Sequence, residues 1–279
     1  SDEQKDRFLT TMAKGEIMWA QAWSEPNAGS DMAAIRSRAV RDGDHYVISG
    51  QKTWSSRAAF ADWCFGLFRT DQDSKRHKGL SFILFDLNSP GITRRPIRQL
   101  HGDTGFAELF FDEVRVPVEN RLGNEGEGFK VAMQVLDRGR LHISAVCIGV
   151  AERLLADCVA YASERKQFGQ AISGFQLIQG MIADSKTEAL VAKAMTLESA
   201  RKRDAGHSVT LEAAASKYFA SEMVGRVADR AVQIFGGAGY VADHGIERFY
   251  RDVRIFRIYE GTSQIQQVVI ARETMKRGG

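Results

Sequence analysis

Three glycines within six residues, Gly123-Asn124-Glu125-Gly126-Glu127-Gly128, divide the chain into two kinds of sequence. This change of pattern constrains the fold more than any other feature. Before it, apolar residues come in short runs broken by Gly, Asp and Pro. After it, they recur every three or four residues over long stretches, the period of a helix face. In the first part, Arg38-Ala39-Val40-Arg41 and His45-Tyr46-Val47-Ile48 flank Asp42-Gly43-Asp44, a strong hairpin signal. Further apolar or aromatic runs at 63–68, 80–87 and 107–111 predict an antiparallel β-barrel or sandwich. No strand–helix alternation supports a Rossmann domain. In the second part, residues 129–165 carry Leu141, Val146, Ile148, Leu154 and Leu155 at helical spacing, and similar stretches follow at 176–203, 210–235 and 263–276. Four long helices with short links predict an antiparallel four-helix bundle, and so an α+β multidomain chain. Ser263 followed by Gln266 reads as a capping box that starts the last helix.

Composition narrows the function. Of 279 residues, 44% are apolar and 26% charged, as expected of a globular protein with a real core. A net charge of +3 does not point to a nucleic-acid partner, and Arg201-Lys202-Arg203 reads as solvated helix surface. Cys147 and Cys158 lie too far apart along one helical stretch for a disulfide, and with Cys64 they form no CxxC pair. A reducing compartment follows. The six histidines are scattered, so no metal site is expected. Nor is membrane insertion expected, because no long apolar run is present.

Four segments could carry chemistry. Trp23-Ser24-Glu25-Pro26-Asn27-Ala28-Gly29-Ser30-Asp31 is a polar loop whose hydroxyls and N–H groups could line a flat polar ring; an ordinary surface loop is equally compatible. Gln51-Lys52-Thr53-Trp54-Ser55-Ser56 could cover an aromatic face, although a Trp buried in a barrel core is the simpler reading. The run Gln233-Ile234-Phe235-Gly236-Gly237-Ala238-Gly239-Tyr240 could expose N–H groups to a phosphate or only end a helix. In Ile258-Tyr259-Glu260-Gly261-Thr262-Ser263-Gln264, a carboxylate among apolar residues suits general-base work, while a Glu near a helix N-terminus is also common for dipolar reasons.

Taken together and in order, these segments and Arg165-Lys166-Gln167-Phe168-Gly169 resemble the acyl-CoA dehydrogenase family over essentially the whole chain. The resemblance implies FAD as cofactor. Gln21, Ala22, Trp23, Ser24, Gly29 and Ser30 would lie along the flavin, with Trp54, Ser55 and Ser56 flanking its ring system. Arg165, Gln167, Phe168, Phe175 and Gln176 would contact the FAD of an adjoining subunit, as would Gln233, Ile234, Phe235, Gly236 and Gly237. Thr262, Ser263 and Gln264 would make the last FAD contacts. Along the acyl-CoA would run Ser30, Asp137, Arg138, Gly139, Arg140, Tyr259 and Gly261.

Glu260 would be the catalytic base. Some family members carry the base on the earlier helix, at the position of Gly139, which cannot take a proton here. The implied reaction is oxidation of an acyl-CoA to the trans-2-enoyl-CoA. Electron-transfer flavoprotein would be the acceptor, and the assembly a homo-oligomer, a dimer of dimers. The resemblance also implies residues 1–16 as the remnant of a preceding helical domain, 17–124 as the FAD-binding β domain and 125–279 as the helical domain. No part of the chain corresponds to the preceding helical domain itself, so a fragment is expected. The cytoplasm of a bacterium is the expected location, or the mitochondrial matrix in a eukaryote. Open alternatives are an oxidase of the same fold, a non-catalytic assembly subunit and a ligand-free helical bundle.

Overall fold

The computed structural model describes residues 1–277. They fall into two compact units, one of residues 1–134 and one beginning at Val135.

The first unit opens with helix α1, Asp2–Lys14. Ser1 and Gln4 cap it reciprocally, and Gly15, at φ 71°, ends it. Its buried residue, Phe8, packs edge-on against Trp19 and Trp63, with ring centroids 5.1 and 4.9 Å away. Eight strands follow: β1 (Trp19–Ala22), β2 (Arg38–Asp42), β3 (His45–Ser56), β4 (Trp63–Arg69), β5 (Leu80–Asp86), β6 (Ile92–Ile97), β7 (Phe106–Pro117) and β8 (Arg121–Leu122). They form one sheet in the order β6-β7-β3-β2-β4-β5-β8, with β1 added parallel to β4. The expected hairpin joins β2 to β3 with Asp42 opposite His45 and Gly43 at φ 61°. Tyr46, Ile48, Phe68, Phe85 and Leu109 fill the core at no measurable exposure. Strand β6 escapes the apolar pattern because it is a sheet edge, where Thr93, Arg94, Arg95 and Pro96 are tolerated.

The long helices of the second part are α2 (Gly128–Glu164), α3 (Gln176–Asp204), α4 (Thr210–Phe235) and α7 (Ser263–Arg277), close to the periods read from the sequence. Two short helices, α5 (Gly237–Tyr240) and α6 (Ile246–Asp252), precede α7. Between α2 and α3 lies a small hairpin of β9 (Lys166–Gln167) and β10 (Gln170–Ala171). Helix α4 is buried along much of its length, and Ala220, Val224, Ala228 and Ala231 meet Cys147, Ala151 and Leu154 of α2 and Ala189 and Ala192 of α3 in one core. These small side chains let the helices approach closely. Among the described residues, no helix is long and apolar enough to cross a membrane.

Candidate functional site

In the first unit, two of the predicted segments are bound to each other. The loop that leaves β1 returns along β3: the Thr53 N–H donates to the Ser24 carbonyl at 2.9 Å. Lys52, fully buried, donates to the Trp23 carbonyl at 3.1 Å and to Glu25 Oε1 at 2.9 Å. Glu25 also accepts the Arg36 and Ser37 N–H groups, both at 2.8 Å. Burial drives the Lys52 ammonium down to about 8 against the pull of Glu25. Burial alone would raise Glu25, but the Lys52 charge and the backbone donors outweigh it and hold the carboxyl below its usual range. The two shifts do not mirror each other because the carboxylate has backbone donors that the lysine lacks.

Gln21 and Ala22 pair with Phe65 and Gly66 of β4, while Gly29 and Ser30 lie on the exposed part of the loop. Beyond Lys52 the β3–β7 register slips before Ser55, and Trp54 sits in that bulge at φ 56° with 58% of its surface exposed. A Trp in the barrel core is therefore not what forms: the bulge turns the indole outward. Ser55 is buried with no hydrogen-bond partner for its hydroxyl among the described residues, and the buried Trp23 Nε1 is likewise unpartnered. Buried polar atoms are rarely left so, and a ligand with a polar edge would satisfy them. An exposed indole next in sequence to an orphaned hydroxyl fits an isoalloxazine. Ser56 is half-buried.

In the second unit, a concave pocket of about 1040 Å³ gathers Arg165, Gln167, Phe168, Phe175 and Gln176 with Ile234, Phe235, Gly236 and Gly237. These come from the β9–β10 hairpin region, the start of α3 and the end of α4. The pocket does not include Gln233, which is exposed. Gly236, at φ 60°, ends α4, so this glycine run is both a helix terminus and a pocket wall.

The turn before α7 carries Glu260 at φ 54° and Gly261 at φ 81°. Burial raises the Glu260 carboxyl, and Lys217, Arg140 and His142 partly oppose the rise. The carboxylate reaches α2: a Cβ built on Gly139 would stand 2.8 Å from Oε2. It is therefore not merely complementing the N-terminus of α7. Arg140 is buried and donates to Asp137 at 2.7 Å, and Asp137 also accepts from Thr210 at 2.9 Å; Arg138 is exposed. Tyr259 packs against the helical core.

Thr262 caps α7, accepting the Ile265 N–H at 3.1 Å, in place of the expected Ser263, whose hydroxyl donates to Glu222 at 2.7 Å. Gln264 is exposed. The sequence carries no sign of Lys217 and suggests only a capping role for Gln266. Lys217 donates to the Gly261 carbonyl at 2.7 Å, and Gln266 donates to the carbonyls of Glu260 and Gly261, both at 3.0 Å. No acceptor among the described residues takes the Glu260 N–H.

Comparison with known proteins adds to this geometry. The sequence matches the family model for the acyl-CoA dehydrogenase middle domain over residues 20–114 and that for the acyl-CoA dehydrogenase C-terminal domain over 126–275. It is 40% identical to a subunit of the caffeyl-CoA reductase–Etf complex of Acetobacterium woodii, over 99% of this chain and 73% of that protein. Identity to the short-chain specific acyl-CoA dehydrogenase of Clostridium acetobutylicum is 39%, over 97% of this chain and 72% of that one. The crystal structure of an acyl-CoA dehydrogenase from Geobacillus kaustophilus superposes with a TM-score of 0.94 at 35% identity, over 98% of this chain and 73% of its own.

Proposed function

The chain belongs to the acyl-CoA dehydrogenase family of oxidoreductases, and from that premise we propose that it oxidises an acyl-CoA thioester between Cα and Cβ, with Glu260 as the α-proton base. The observation that carries this reading is the Glu260 turn, which combines a left-handed backbone, an N–H with no acceptor among the described residues and a desolvated carboxylate that reaches side-chain-less Gly139.

A thioester α-proton is too weakly acidic for a carboxylate in water. Desolvation strengthens Glu260 as a base. Its N–H, fixed in direction because Gln266 and Lys217 hold the following carbonyls, donates to the thioester oxygen and stabilises the charge that develops there. Glu260 then carries the α-proton on a carboxylate oxygen. Gly139 leaves room for that carboxylate, Asp137, itself bonded by Thr210, fixes Arg140, and Arg138, Tyr259 and Gly261 of the same unit would border the acyl-CoA.

The family is flavin-dependent, and FAD, when bound, supplies the acceptor for the hydride from Cβ. Trp54 would cover its ring, while the Ser55 hydroxyl and the loop from Gln21 to Ser30 would meet its polar edge. The pocket around Arg165 and Phe175 would take the FAD of another copy, which makes the active assembly a homo-oligomer, a dimer of dimers. An electron-transfer flavoprotein is the proposed acceptor, supported by the Etf-complex relative. That relative, named a reductase, also supports a second reading, reduction of an enoyl-CoA, in which Glu260 returns the proton to Cα.

The test is Glu260→Gln in the FAD-loaded full-length protein. Acyl-CoA should still bind, and flavin bleaching should slow by several orders of magnitude in stopped flow. Bleaching at close to the unsubstituted rate would remove Glu260 from the mechanism.

A further inference from the structure

Lys217 lies on α4 with no exposed surface. Its ammonium makes one hydrogen bond, to the Gly261 carbonyl at 2.7 Å, and has no carboxylate within ion-pair distance among the described residues. A buried, unpaired lysine is costly, and an apolar side chain would suit the core better. The bond it makes is to the residue after the base. Gln266, also fully buried, converges on the same place from α7, donating to the carbonyls of Glu260 and Gly261. Five residues further along α4, Glu222 grips both sides of the same turn, 3.1 Å from Arg257 Nε and accepting from Ser263 at 2.7 Å. Helix α4 thus holds the segment that carries Glu260 at two points.

We propose that Lys217 is a positioning residue for the base: through the Gly261 carbonyl it holds the left-handed Glu260–Gly261 turn, and it sets one positive charge beside the carboxylate. This rests on Glu260 being the base. Without Lys217 the turn relaxes, because Glu260 is held at positive φ against its own preference. The charge also matters. Lys217 acts on Glu260 together with Arg140 and His142 of α2, while Cys147, Glu222 and Arg140 act on Lys217, and Arg272 of α7 acts on Arg140. Burial draws Lys217 down to about 8, so it is cationic through neutral pH and favours the ionised base there.

The experiment compares Lys217→Met, Gln266→Leu and Glu260→Gln with the unsubstituted, FAD-loaded full-length protein. It measures single-turnover flavin reduction by an acyl-CoA against pH. The Glu260 carboxyl is titrated by infrared difference against Glu260→Gln, without substrate. Lys217→Met should slow reduction about 10- to 100-fold, as loss of alignment does, and should move both the rate profile and the carboxyl titration to higher pH. Gln266→Leu should slow reduction but leave the titration where it was, since it removes no charge. If Lys217→Met does not fold, Lys217→Gln loses the charge alone, and its carboxyl titration decides the matter. An unchanged rate profile and titration in the Lys217 variant, with Glu260→Gln inactive, overturns the role of Lys217 only. An active Glu260→Gln overturns the base itself.

Discussion

A glutamate held at φ 54° costs about 1 kcal/mol more than a glycine would in the same place, and burial of its carboxyl adds a pH-dependent cost. Burial raises the folded carboxyl above its unfolded value of about 4.3. Protonated, at pH below the unfolded value, the group bears no such cost. The cost grows as pH rises through the interval and is complete above the folded value. Glu260→Gln is therefore expected to raise the melting temperature at about pH 8 more than at about pH 4; an equal gain, or a loss, in thermal unfolding at the two pH values would contradict the burial argument. The Gly139 contact carries a second expectation. Because a Cβ there would stand 2.8 Å from the Glu260 carboxylate, the two positions aim at one point. Gly139→Glu combined with Glu260→Gly should recover flavin reduction above that of Glu260→Gly alone, and no recovery would mean that a carboxylate on α2 cannot reach the α-proton. At this scale the buried turn that carries Glu260 stood out in the sequence as a motif. Lys52 and Lys217 did not. A lysine reads as surface, and the partners that bury these two lie 27 and 44 residues away in sequence.

At the scale of elements, the loop from Trp23 to Asp31 is held to β3 by an ion pair instead of by pattern. Glu25 and Lys52 satisfy each other and several backbone groups in the interior. Removing one partner leaves a buried charge unanswered, which typically costs about 3–5 kcal/mol. Glu25→Gln should lower the stability of the β unit by that order in denaturant unfolding and weaken retention of FAD. A Glu25→Leu, Lys52→Met pair should recover much of the stability, because well-packed apolar residues replace such pairs at little cost. A double variant no more stable than Glu25→Gln would show that the backbone bonds to Glu25, and not its charge, hold the loop. The long helices and the β2–β3 hairpin were readable because their periods and turn residues are local properties. The bulge at Trp54 was not, since it is a mismatch with β7, a strand more than fifty residues later. The cap of α7 was placed one residue late for a similar reason: Ser263 has the right chemistry, but Glu222 of α4 claims its hydroxyl.

At the scale of the whole molecule, the pocket of the helical unit asks for an occupant. Around it and on the adjoining α5, Phe168, Leu177 and Tyr240 are 95%, 85% and 82% exposed, far more than a helical bundle leaves open without use. Arg165 lines the same pocket and has no carboxylate partner among the described residues, so a cation suited to a phosphate stands beside unburied aromatic surface. A dinucleotide bound by a neighbouring copy would satisfy both features: its phosphates would meet Arg165, and the copy that carries it would cover Phe168 and Leu177. The mononucleotide FMN lacks the adenosine half and would leave them bare. The full-length protein is therefore expected to release FAD on denaturation, to sediment as a dimer or tetramer, and to lose flavin when dilution separates the copies. Arg165→Ala should make flavin loss begin at a higher protein concentration, with little effect on the melting of the helical unit, since Arg165 is exposed and outside its core. Sedimentation and flavin absorbance followed together decide it: an active monomer that keeps its FAD on dilution would leave this pocket without the role proposed for it.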